Sequence, residues 1–300
     1  MSCLCDYSLS NTGTPSKQGI AAVTKKLIFV RMVDDAGNRN SVDVSDTLDA
    51  AFFEALTRAQ DPSARWYPTP EVKNVEDTRA ETVFETYTDG SNAKVREGIR
   101  SFMGVMIDMG PVFLSKLQGF ACEKMGVYFV DACGKLVGSI SSDGTQLYPI
   151  MISTGSFDAT LVKATDALRP KVQVKFDISV LERDENLRIA DTEADVDLNA
   201  LEGMLDVIGT TTSISTTSFT VKLNLQYGPF GAPIKVEGFV LGDFSLYNED
   251  DAATVAITSL LESPAGTYTI NYAAQGSGET LTVRGQMDSF LVTTFTVLIP

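Results

Sequence analysis

The chain has 300 residues and no histidine, and its 24 Lys and Arg face 39 Asp and Glu, for a formal charge of −15 at neutral pH. Without an imidazole the Ser/His/Asp and Cys/His nucleophile pairs and the HExxH metal sites are excluded. So acidic a surface also disfavours a protein that tracks nucleic-acid phosphates.

With 44% hydrophobic residues the chain has material for a sizeable core. No apolar run approaches the roughly 20 residues that span a bilayer, so no membrane partner is expected. The opening residues, MSCLCDYSLSNTGTPSKQG, lack the basic-then-apolar pattern of an export signal, and synthesis in a cytosol is expected. Cys3, Cys5, Cys122 and Cys133 do not have zinc-knuckle spacing. They are expected to be free thiols.

In chain order, residues 1–25 are polar and weakly patterned, and read as an arm. KKLIFVRMVDD, at 25–35, predicts a strand closed by a turn at Ala36, Gly37 and Asn38. Over 45–59, Leu48, Ala51, Phe52, Ala55 and Leu56 recur at helical spacing, with Ser45 available as N-cap. Residues 60–80 have no usable periodicity and hold the only tryptophan. A loop of that length with an aromatic pair, Trp66 and Tyr67, either docks on a neighbouring subunit or is pinned to its own domain.

ETVFETYT alternates, Asp89-Gly90 supplies a turn, and KVREGIRSFMGVMI reads as the return strand of a long hairpin, with a helix as the rival. PVFLSKLQG, at 111–119, predicts a short helix with Pro111 at its first position and Gly119 just past its end. Residues 126–180 form a strand meander in which Val172, Val174, Phe176 and Ile178 share one face. The acidic stretch 182–206 leads into Leu198, Leu201, Met204, Leu205 and, just beyond it, Ile208 at helical spacing, which predicts a second amphipathic helix. TTTSISTTSFTVKLNLQY then reads as a hairpin, QYGPFGAP at 226–233 as a boundary, and the remainder as short strands with turns at 248–251, 263–266 and 276–278.

Chemistry is sparse. No phosphate-binding glycine motif stands before a helix. The string Asp195, Asp197, Asn199, Glu202 lacks the glycine of an EF-hand loop and is discounted as a calcium site. Ser115 and Lys116 point apart on a helix. The many carboxylates read as solvating charge, and no catalytic residue, cofactor or metal is assigned.

The run VREGIRSFMGVMIDMGPVFLSKLQGF and then CEKMGVYFVDACGKLVGSI, preceded by ETYTDGS, resembles tail tube proteins of tailed bacteriophages over roughly residues 80–140. NEDDAATVAITSLLESPAGTYTINYA resembles the immunoglobulin-like domains attached to phage virion proteins. The resemblance implies a mainly β (α+β) chain with a tail-tube-like sandwich or barrel and one or two flanking helices over 1–228. A small immunoglobulin-like β-sandwich is implied over 229–300.

It further implies hexameric rings of the chain stacked into a hollow tube, with other tail proteins as partners and DNA passing without specific binding. Such a protein resides in the virion and is assembled in the host cytoplasm. The hairpin 81–107 and the loop 60–80 are expected to reach the adjacent subunit or ring, with Trp66, Tyr67 and Tyr87 as interface candidates. Asp177, Glu182, Asp184 and Glu185 are candidates for an acidic lumen wall that repels DNA phosphate.

An independent argument agrees, because strand edges that are a hazard in a monomer are completed by copies of the chain in a closed ring. Two other classes stand beside this reading. One is a capsid decoration protein or host-surface adhesin using Trp66 and Tyr67 as exposed binding residues, and the other is a hydrolase built on acidic residues.

Overall fold

A computed structural model describes residues 22–190, 192–193, 196–226 and 231–300. Most of the expected arm therefore lies outside the described residues. The chain divides into two compact units, Met1–Gly203 and Met204–Pro300. Strands dominate both, with few short helices.

The first unit opens with β1 (Thr24–Arg31), β2 (Val42–Asp43), α1 (Ala50–Thr57), β3 (Tyr67–Pro68) and β4 (Lys73–Arg79). A hairpin tip, β5 (Val83–Thr86) and β6 (Asn92–Arg96), precedes β7 (Arg100–Ile107) and α2 (Pro111–Gly119). Then come β8 (Met125–Asp131), β9 (Leu136–Ile140), β10 (Gln146–Tyr148), β11 (Ile150–Met151), β12 (Asp158–Val162), β13 (Lys171–Asp177) and β14 (Leu187–Ile189).

Two sheets result. The large one runs β2-β10-β9-β8-β1-β3, with β11 on β8 and β14 on β9, and the small one runs β12-β13-β7-β4. The period-two pattern of β1 shows how they stack: Leu27 and Phe29 enter the core shared with the small sheet, where Phe102, Met106, Val172, Val174 and Phe176 wait. Ile28 and Val30 enter a second core beneath Phe53 of α1. The large sheet is thus covered on both faces, and every residue of β8 is buried. A Cβ on Gly138 in β9 would stand 2.8 Å from the Tyr128 ring, so glycine is what lets that ring lie flat there.

The second unit holds β15 (Leu205–Ile214), β16 (Ser218–Leu225), β17 (Phe244–Asn248), β18 (Ala253–Val255), β19 (Ile257–Glu262), β20 (Thr267–Tyr272), β21 (Thr280–Met287) and β22 (Phe290–Leu298). They form one eight-stranded path, β18-β17-β21-β22-β15-β16-β20-β19, antiparallel except where β15 runs parallel to β22. The path curls around a core that includes Phe219, Val221, Tyr268, Ile270, Leu281 and Val283. Tyr268 donates its hydroxyl to Val236 O (3.1 Å) and accepts from Phe239 N (3.3 Å), and its burial pushes the phenol up to about 12. Asn248 accepts the backbone N–H groups of Asp250 and Asp251, the local bond that makes its turn.

Several expectations need correction. The helix over 45–59 begins later than expected: Asp49, whose carboxylate accepts from Phe52 N at 2.7 Å, is the N-cap, while Ser45 bonds Asp43 instead. The second amphipathic helix does not form. A single 3-10 turn, Leu198–Ala200, is followed by β15. Lys26 supplies the reason, because its Nζ donates to the carbonyls of Asn199 and Leu201 at 2.6 Å each, acceptors that a continuing helix would need for its own N–H groups.

The boundary expected near residue 228 is displaced to 203–204, since β15 pairs with β22 and β16 with β20. The segment 60–80, expected to lack regular structure, contains β3 and β4. Cys133 is disulfide-bonded, against the expectation of free thiols, whereas Cys122 is free.

Candidate functional site

β4 and β7 form the antiparallel stem of the long hairpin, and both belong to the small sheet. Beyond Arg79 the ladder leaves that sheet, and β5 and β6 pair only with each other. Ala80 N donates to Ile99 O (2.9 Å) at the joint. A Cβ on Gly98 would lie 1.6 Å from Ala80 O, so only glycine allows the two strands to approach there.

The turn closes through Tyr87 N to Ser91 O (2.8 Å), with Gly90 at φ +83. Asp89 accepts from both the hydroxyl and the backbone N–H of Ser91, and these bonds hold its carboxyl below the usual range. Phe84 and Val95 are each 58% exposed and Tyr87 48%, so the tip carries apolar side chains that its own unit leaves bare. By the period of two, Phe84 lies on one face of the ribbon and Tyr87 on the other.

The interface candidates named from sequence separate sharply. Trp66 is 2% exposed and stacks on Tyr128 at 4.7 Å between centroids, with Phe53 on its other side at 5.9 Å. It is a core residue, and its place as a docking residue is withdrawn. Tyr67 is half-buried against Phe120, donates to Pro62 O (2.8 Å), and has its phenol raised by burial. Only Tyr87 stands free at a tip. Phe84 and Val95 were missed, although the alternation of ETVFETYT and the charged residues around Val95 already showed a strand with no wholly polar face.

The acidic candidates do not make a wall. On the face of the small sheet turned from the core, the register sets Ser101, Met103, Val105 and Ile107 beside Asp177, Lys175, Gln173 and Lys171. Asp158, Thr160 and Val162 extend that face on β12, and Lys73 and Glu76 on β4. Lysines 73, 171 and 175 are balanced by Glu76, Asp158 and Asp177, so the face has no net charge.

Of the four candidates only Asp177 lies on this face, and it accepts the Ser101 hydroxyl at 2.5 Å. Glu182 accepts Met151 N (3.0 Å) in the loop beyond, where Glu185 pairs with Arg183. Asp184 accepts from Arg79 (3.1 Å) and Arg100 (3.3 Å). Arg100 also forks onto Asp77 (2.8 and 2.5 Å), which holds its guanidinium firmly protonated. Each of these carboxylates is spent on a structural bond.

The outer edges of the small sheet are formed by β12 and β4. No described strand pairs with either from outside. On β12 one carbonyl, Ala159 O, takes a side-chain bond from Gln118 of α2 (3.3 Å). On β4 the register shifts between Lys73 and Glu76 around Asn74, at φ +50, a bulge that bends the strand.

Among the described residues no group of three or more His, Cys, Asp or Glu is placed to hold a metal ion, and no helix is long and apolar enough to cross a membrane. No family model, curated protein or solved structure matches this chain.

Proposed function

We propose that this chain is a structural subunit that assembles with copies of itself into rings, in the manner of a phage tail tube protein, the stacked rings forming a virion conduit for DNA. The observation that carries the reading is the small sheet. It has one face on the core, one face turned from it, and two outer edges that no described strand covers. Edge strands left open in a monomer pair readily with another chain, and a head-to-tail pairing of β12 on one copy with β4 on the next repeats by rotation and closes a ring.

The face turned from the core then lines the hole. Its balanced lysines and carboxylates neither grip nor repel a phosphate backbone over the about 8 Å that charge reaches in physiological salt. The hairpin supplies the second contact. From Ala80 to Asp89 it projects roughly 30 Å at about 3.3 Å per residue, far enough to lay Phe84 and Tyr87 on a neighbouring copy.

The strand order of the second unit supports an appended domain. We read β15-β16-β20-β19 and β18-β17-β21-β22, joined where the first strand runs parallel to the last, as the two halves of an immunoglobulin-type sandwich. The adhesin reading, by contrast, loses its exposed tryptophan.

Negative-stain microscopy of the concentrated protein tests the proposal. Rings or tubes with a central hole are expected. A wild-type protein that stays monomeric at every concentration sinks the reading.

A further inference from the structure

The joint between the hairpin and the small sheet is held by charge. Arg79 closes the outgoing strand and Arg100 opens the returning one, and both donate to one carboxylate, Asp184. Asp184 sits on a loop that is itself fixed: Ile178 N donates to Arg100 O (2.8 Å), Ser179 N to Met151 O (2.9 Å), and Glu182 accepts Met151 N. Beneath this clamp lies a cleft lined by Glu97, Gly98 and Ile99 of the hairpin and by Ile178, Val180 and Leu187 of the body.

The tip beyond the joint has few other ties. β5 and β6 are exposed almost throughout and join no other strand. A two-stranded ribbon of this kind is marginal on its own, so its direction is decided at its base.

We propose that Asp184 is a latch: by bonding one arginine from each strand it sets the direction in which the hairpin leaves the small sheet, and its release frees the hairpin to swing. That a second copy of the chain receives the hairpin rests on the function proposed above. The latch itself rests on the joint alone. Exposed ion pairs weaken as salt rises, so ionic strength tunes the latch, and assembly that needs the hairpin in one direction slows at high salt.

The test uses the full chain, diluted until monomeric. Trypsin cleavage after Lys94 and Arg96 is timed for wild type, Asp184→Asn and Arg79→Gln, with the thermal midpoint measured alongside. Both variants are expected to be cut about twofold to tenfold faster at low salt, with an unchanged midpoint, and wild type is expected to reach their rate in about 1 M salt. Wild-type rates in both variants overturn the latch. So does faster cutting that comes with a lowered midpoint, or a difference that persists in high salt. Because cleavage is read on monomers, a failure of rings to form leaves the latch standing, and a failed latch leaves the rings standing.

Discussion

Residues 60–72 and 80–98 flank the same strand, β4, and meet opposite fates. The first has almost no periodicity yet sends Trp66 and Val72 into two different cores of its own unit. It is tied down by backbone bonds from Trp66 N to Leu56 O (3.1 Å), Thr69 N to Leu27 O (2.8 Å) and Val72 N to Lys25 O (2.7 Å). The second alternates as a strand should, yet contributes nothing to any described core. Regular pattern and burial are therefore separable: alternation reports that a segment is extended, and only the presence of a partner layer decides whether its apolar side is covered.

The contrast is broken most forcefully at Trp66. Trp66→Ala removes a ring held between Phe53 and Tyr128 and should destabilise the first unit by about 3–5 kcal/mol, read by urea unfolding. A loss under about 1 kcal/mol would mean that the ring is not the anchor assigned to it.

Tyr128 sharpens the comparison through pH. Its hydroxyl donates to Leu147 O at 2.8 Å, and burial holds its phenol well above the ordinary 10.0. A phenol whose folded pKa is raised contributes stability that is fully present below the unfolded value and is lost as pH rises above it. Wild-type stability should therefore decline from about pH 10 upward, and Tyr128→Phe, at a cost of about 1 kcal/mol near neutrality, should flatten that decline. An equally steep alkaline decline in the variant would contradict the assignment. Tyr272 and Tyr268 in the second unit are raised in the same direction, so the measurement should follow the first unit by tryptophan fluorescence.

The smallest effect on folding is expected at the hairpin. Phe84→Ser with Tyr87→Ser should change protomer stability by no more than about 0.5 kcal/mol, because neither side chain is buried, while the stacking of rings that we propose should be lost. Tubes of normal length from the double variant would remove the hairpin from the interface.

Much of the local structure was legible. Pro111 at the start of α2, the Asp89-Gly90 turn and the shared face of Val172, Val174, Phe176 and Ile178 follow from backbone geometry and from a period of two. The stripe from Leu198 to Ile208 misled, because its spacing fits a helix while Val207, Ile208 and the threonines that follow at 210–212 favour a strand, and the winner was set by Lys26 and by pairing with β16 and β22. The hairpin of the candidate site was visible in outline. The fate of its arginines was not, since Arg79, Arg100 and Asp184 are brought together by three separate elements.

By itself the sequence determined that this is an acidic, histidine-free, strand-rich chain with a long hairpin near residue 90 and turns where Gly and Asn permit them, because composition and short-range backbone preference are properties of neighbours along the chain. Tertiary structure decided that Trp66 lies inside and Phe84 outside, that strands 205–225 serve the second unit, and that the acidic candidates hold arginines, hydroxyls and backbone amides. Those outcomes depend on which layers and charges arrive from far along the chain, and the hydrophobic and electrostatic energies that settle them act through space, blind to sequence distance.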